Sequence, residues 1–141
     1  MANWVEGEGI MVSRILIVDD EAHILHVLSL KLRNAGYEVL TASDGEEGFE
    51  LASAELPDLV ITDYQMPFMT GLELCHALAD QKSTAKIPIL ILTARGHALE
   101  DQDLKIDNVK GVLSKPFSPR AVLQLVEEYT KKGAKVKKQS Q

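Results

Sequence analysis

Short apolar runs alternate with amphipathic stretches along almost the whole chain. The first run, Arg14-Ile-Leu-Ile-Val18, ends in two aspartates. Apolar residues at consecutive positions mark a strand buried on both faces, as in parallel sheets. From Glu21 to Ala35 the period changes. Leu25, Leu28, Leu32 and Ala35 share one helical stripe, and Gly36 stands in the C′ position that ends a helix. Glu38 to Thr41 reads as a second strand. Ser43 and Glu46 have capping-box spacing, which predicts a helix to about Ala54, with Pro57 as punctuation.

Leu59-Val-Ile-Thr62 is a third strand running into Asp63. Thr70 and Glu73 form another capping-box pair, opening a helix to about Asp80. Ile87-Pro-Ile-Leu-Ile-Leu92 is the fourth strand, and Pro88 must lie at its start, where a missing N–H is tolerable. A short polar helix is expected over Ala98 to Asp107, and a fifth strand over Gly111 to Ser114. Ser118 caps a last helix with Pro119 at its first position, and Ala121, Val122, Leu125, Val126 and Tyr129 form its buried stripe.

Five strand–helix alternations predict an α/β fold, with a parallel sheet covered by helices on both faces. Ligands of such sheets bind beyond the carboxyl ends of the strands. Polar residues stand at those ends here: Asp19 and Asp20 after the first strand, Asp63 after the third, Thr93 after the fourth and Lys115 after the fifth. Carboxylates crowded on one edge repel. Two unit charges at 4 Å cost about 4 kcal/mol at an effective dielectric near 20. The cluster must protonate, bind a cation or recruit Lys115. A hard divalent cation such as Mg²⁺ suits oxygen ligands of this kind, and it would neutralise an incoming phosphoryl group. Thr93 offers a hydroxyl and Lys115 a compact positive charge to phosphoryl oxygens.

Four segments carry a family resemblance: Ile15-Leu-Ile-Val-Asp-Asp-Glu21; Leu59-Val-Ile-Thr-Asp63 with Met66-Pro67 and Gly71; Ile89-Leu-Ile-Leu-Thr-Ala94; and Lys115-Pro-Phe117. Each alone is a weak signal. All four, in order and each at a strand end, resemble the receiver domain of two-component response regulators over roughly residues 13 to 130. The resemblance implies a doubly wound, flavodoxin-like five-stranded parallel sheet of order 2-1-3-4-5. It implies that Asp63 accepts the phosphoryl group. It implies that Asp20, Asp63 and the backbone carbonyl of Gln65 ligate Mg²⁺, with Asp19 completing the acidic pocket, often through water. Thr93 matches the switch hydroxyl and Lys115 the phosphate-contacting lysine, with a cis Lys115–Pro116 bond. Gln65 and Arg95 match positions that tune the lifetime of the acyl phosphate. One position departs from the family: Val112 stands where an aromatic ring is usual. Signalling is therefore expected to rely on shifts around Thr93 to Asp107.

Bulk properties fit this picture. The 141 residues suit one domain, and 45% hydrophobic with 26% charged residues is ordinary for a globular chain. We expect a flexible leader over 1–12, a receiver domain over 13–132 and a disordered Lys-rich tail over 133–141. Cys75 is the sole cysteine, so no disulfide can form within the chain, and it reads as a small core residue. Without a signal peptide or a long apolar run, a cytoplasmic location is expected. The net charge of −6 disfavours direct nucleic-acid binding.

Expected partners are a histidine kinase or phosphotransfer protein and a downstream protein, with no membrane association and a possible homodimer. The leader and tail favour a stand-alone receiver that signals by protein–protein contact. It would not be an enzyme, although it assists its own phosphorylation and dephosphorylation. A receiver-like interaction module independent of phosphorylation is the alternative, kept open by Val112. A phosphohydrolase with an aspartyl nucleophile would need a second aspartate where Gln65 stands. His23, His26, His76 and His97 show no metal-ligand pairing.

Overall fold

The computed structural model describes residues 3–5, 10–94 and 106–135. Within the expected leader, β1 (Asn3–Val5) pairs antiparallel with β2 (Ile10–Val12) in a separate two-stranded ribbon. The main sheet holds β3 (Arg14–Val18), β4 (Glu38–Ala42), β5 (Leu59–Asp63), β6 (Ile89–Ala94) and β7 (Val109–Lys115). Its order is β4-β3-β5-β6-β7 and every pairing is parallel. Numbered within the sheet, that order is 2-1-3-4-5, as expected. The connecting helices are α1 (Ala22–Asn34), α2 (Gly45–Glu55) and α3 (Gly71–Ala79), and α4 (Pro119–Lys135) follows β7.

The strand side chains alternate between two apolar layers, as the period of a pleated strand requires. Leu16, Val18, Val60 and Ile91 pack with Leu74 and Leu78 of α3. Ile15, Ile17, Ile61 and Leu92 pack with Leu28 and Leu32 of α1 and Val122 and Val126 of α4. Each fully buried Ile or Leu contributes roughly 1.5–3 kcal/mol. The central strands β3, β5 and β6 are therefore the rigid part of the molecule, and their carboxyl ends share that rigidity. Strand β7, on the edge, is only half-buried.

Three local expectations shift. The first turn of α2 is capped by Asp44, whose carboxylate accepts from Glu47 N–H at 2.8 Å, while Glu47 accepts from Ser43 N–H at 2.9 Å. The predicted Ser43–Glu46 box is thus displaced by one residue. Close packing sets that register: Gly45 lies against Met69 and Gly48 against Val18, with no room for a Cβ at either glycine. Ala35 is exposed, because α1 has already ended when Gly36 takes a φ of 99°. Strand β7 is longer than predicted, since its polar and small residues alternate as on any half-exposed edge. The Thr70–Glu73 capping box is present as predicted.

The helix expected over Ala98 to Asp107 lies outside the described residues except for its last two. There Val109 N–H donates to the Ile106 carbonyl at 2.9 Å in a turn that opens β7. Helix α4 reaches Lys135, three residues into the segment assigned to the tail, and residues 136–141 lie outside the description. Among the described residues no helix is long and apolar enough to cross a membrane.

Candidate functional site

Asp19, Asp20, Asp63, Thr93 and Lys115 all stand at the carboxyl ends of β3, β5, β6 and β7. The rigid sheet brings three carboxylates together: Asp19, Asp20 and Asp63 each offer an oxygen within 4.8 Å of the others. Asp19 is fully buried and Asp20 is exposed, so the cluster opens to solvent on one side. Lys115 reaches in from β7. Its Nζ lies 3.2 Å from Asp63 Oδ1, 3.4 Å from Asp19 Oδ2 and 3.2 Å from Glu21 Oε1. The Lys115–Pro116 bond is cis.

The electrostatics follow from burial and crowding. Asp63 is 6% exposed. Burial first, then the charge of Asp19, push its carboxyl up to about 6 against the opposing pull of Lys115. Burial also raises Asp19, although Glu21 N–H donates to its Oδ1 at 2.8 Å and Lys115 lies close. Burial alone would lower the pKa of Lys115, but Asp19 and Asp63 outweigh it and raise it. One ammonium thus offsets part of a negative charge that three carboxylates and Glu21 create. An edge with this surplus is chemically suited to a divalent cation with oxygen ligands.

Thr93 adds a second signal. Its Oγ1 is buried and has no hydrogen-bond partner among the described residues. A buried hydroxyl left unpaired costs roughly 1–3 kcal/mol, so such a group calls for an explanation. A ligand oxygen arriving at this edge would satisfy it.

The loop after Asp63 is tied back to its own start. Tyr64 N–H donates to the Leu92 carbonyl at 2.8 Å, and Gly71 N–H donates to the Tyr64 carbonyl at 2.7 Å. Any Cβ at position 71 would collide with the Asp63 carbonyl, so glycine is required there. Gln65 is exposed on this loop, two residues beyond Asp63. Sequence reasoning did not identify Glu21 as a partner of Lys115. Its only signal was its place directly after the aspartate pair.

Other singled-out residues lie elsewhere. His23, His26 and His76 are exposed on helices. Cys75 is buried in the layer under α3, and burial pushes its thiol up to about 12, which keeps it inert at neutral pH. Val112 is 38% exposed on β7. Arg95 and His97 lie outside the described residues.

A family model described as the response regulator receiver domain matches residues 15–127. The alkaline phosphatase synthesis transcriptional regulatory protein PhoP of Bacillus subtilis is 42% identical over 119 residues, covering 79% of this chain and 46% of that protein. The phosphate regulon transcriptional regulatory protein PhoB of Pseudomonas aeruginosa is 37% identical, covering 77% of this chain and 48% of that protein. The chain therefore spans about half the length of these curated relatives. The solved structure of the chemotaxis response regulator CheY4 of Vibrio cholerae superposes with a TM-score of 0.77 at 36% identity, covering 84% of this chain and 98% of that one.

Proposed function

The chain belongs to the response regulator receiver family, and from that premise we propose that Asp63 accepts a phosphoryl group from a phosphohistidine on a histidine kinase or phosphotransfer protein. The observation that carries the reading is the convergence on Asp63. Two further carboxylates lie within 4.8 Å of it, and the Lys115 ammonium at 3.2 Å.

In the proposed step an Asp63 carboxylate oxygen attacks phosphorus in line with the donor imidazole nitrogen. The O–P bond forms, the N–P bond breaks, and the electron pair returns to the imidazole. Asp63 must be ionised to attack, which its raised carboxyl pKa opposes until the pH passes about 6. Lys115 holds that carboxylate from one side and fixes its orientation. As charge moves out onto the phosphoryl oxygens, Lys115 can follow it, since the same ammonium reaches Asp19 and Glu21 as well. Thr93 supplies its unpaired hydroxyl to another phosphoryl oxygen.

Asp20, Asp63 and the Gln65 carbonyl, with Asp19 behind them, would hold Mg²⁺. When bound there, the ion would supply charge neutralisation for the transferring phosphoryl group. The product carries roughly −1.5 to −2 charges where one carboxylate stood. We place the consequence in the segment from Thr93 to Asp107, which would present altered contacts to a downstream protein. A tenfold population shift needs only about 1.4 kcal/mol of differential contact. In this reading the chain is a signalling protein of the cytoplasm that assists its own phosphorylation and hydrolysis but turns over no other substrate.

Val112 supports a second reading. A half-exposed valine has no ring to rotate, so the domain could bind its partner regardless of phosphorylation. Partner affinity with and without phosphorylation separates the two.

Incubation with acetyl phosphate and Mg²⁺, read by intact-protein mass spectrometry, tests the main proposal. A single phosphoryl adduct on the parent, absent from Asp63→Asn and absent in EDTA, is the expected result. An equal adduct on Asp63→Asn would sink it.

A further inference from the structure

Phe68 is the most exposed large apolar side chain among the described residues, at 92%. It also has a φ of 68°, in the left-handed region that bulky residues avoid. Met69 N–H donates to the Pro67 carbonyl at 2.8 Å, bridging Phe68 alone in a tight three-residue turn. Turns of this kind with positive φ are rare and strained.

The rest of the loop is firmly held. Met66 is buried, Met69 packs where Gly45 lacks a Cβ, and Thr70 N–H donates to the capping Glu73 carboxylate at 2.9 Å. A packed base therefore holds a phenyl ring out in water at the tip of a strained turn. Nothing within the described structure uses the ring, and both its exposure and its backbone oppose stability. Strain of this kind is commonly retained where a site needs it.

We infer that Phe68 is an anchor by which the phosphodonor protein docks, its ring entering an apolar recess beside the donor's phosphohistidine. The inference rests on the reading of Asp63 as acceptor. The loop of residues 64–70 leaves from Asp63 and returns to it through the Gly71–Tyr64 hydrogen bond. Asp63 is nearly buried, so a donor must approach closely from the open side of that edge, next to the loop that begins at Asp63. A downstream partner has no need to reach Asp63, and so no need to cover this loop. Aromatic anchors near the centre of an interface commonly dominate its affinity.

The test compares the parent with Phe68→Asn, which tolerates the left-handed backbone, and Phe68→Tyr, which keeps the ring. Two donors are used. One is acetyl phosphate. The other is the autophosphorylated core of whichever histidine kinase, from a panel, transfers fastest to the parent. Phe68→Asn should take phosphate from acetyl phosphate within twofold of the parent rate. Its kcat/KM for the kinase core should fall tenfold or more, chiefly through KM, and Phe68→Tyr should restore transfer. Kinase transfer to Phe68→Asn within twofold of the parent overturns the inference. So does an equal loss with both donors, or a parent labelled by acetyl phosphate but by no kinase. A parent labelled by neither donor instead removes the acceptor reading itself.

Discussion

Replacing Asp63 by Asn should stabilise the metal-free protein at neutral pH, although it removes a partner of Lys115. Burial and the charge of Asp19 push the native carboxyl up to about 6 from an ordinary value of 3.8. That rise corresponds to about 3 kcal/mol of penalty for holding the ionised form in the folded state. The direction is unusual for an aspartate. The folded state keeps its proton longer than the unfolded chain, so stability falls as the pH rises from about 4 to about 6, and the penalty is then complete. Asn has nearly the same shape and no charge. Lys115 would still have Asp19 and Glu21 within 3.4 Å and 3.2 Å, so little of its pairing is lost. We expect a gain of about 1–3 kcal/mol at pH 7.5 in EDTA, a Tm rise of roughly 4–10 °C for a domain of this size. The gain should vanish near pH 3.5, where both side chains are neutral. Mg²⁺ should raise the Tm of the parent more than that of the variant. Thermal melts across pH 3.5–8 with EDTA or Mg²⁺ read all of this. A variant no more stable than the parent at pH 7.5 in EDTA, or one whose gain is the same at every pH, would refute the reasoning.

Other outcomes follow from the same geometry. Lys115→Met should destabilise the metal-free protein at pH 7 by about 1–3 kcal/mol in urea melts, since it leaves the buried Asp19 without its cation; an unchanged midpoint would show that the lysine is not engaged. Thr93→Val should be neutral or slightly stabilising in the unphosphorylated protein, because it removes an unpaired buried hydroxyl, yet should weaken beryllofluoride binding about tenfold; unchanged beryllofluoride affinity would exclude the hydroxyl from the phosphoryl site. Gly71→Ala forces a methyl onto the Asp63 carbonyl and should cost about 1–3 kcal/mol in chemical denaturation while slowing phosphorylation; a fully active variant of parental stability would show that the loop yields without consequence.

Much of the fold was legible because its signals are local or strictly periodic. The buried strands announce themselves as uninterrupted β-branched runs, and a hydrophobic run that stops at a carboxylate or lysine places that group at the sheet edge. Asp19, Asp20, Asp63, Thr93 and Lys115 were all found this way. Features set by distant packing were not. The cap of α2 moved from Ser43 to Asp44 because Gly45 and Gly48 must face Met69 and Val18, contacts between segments far apart in the chain. The approach of Glu21 to Lys115 depends on how α1 begins relative to β7, which no local pattern encodes. The left-handed turn at Phe68 carries no sign in the sequence, since neither glycine nor asparagine marks it.

The central claim is that Asp63 itself becomes phosphorylated, and the most direct test locates the bond. After incubation with acetyl phosphate and Mg²⁺, borohydride reduction converts an aspartyl phosphate to homoserine, and peptide mass spectrometry reads which position has changed. Conversion at position 63, dependent on both donor and Mg²⁺, is the predicted result. Conversion at Asp19 or Asp20 instead, or none in a protein that carries the phosphoryl adduct, would contradict the account.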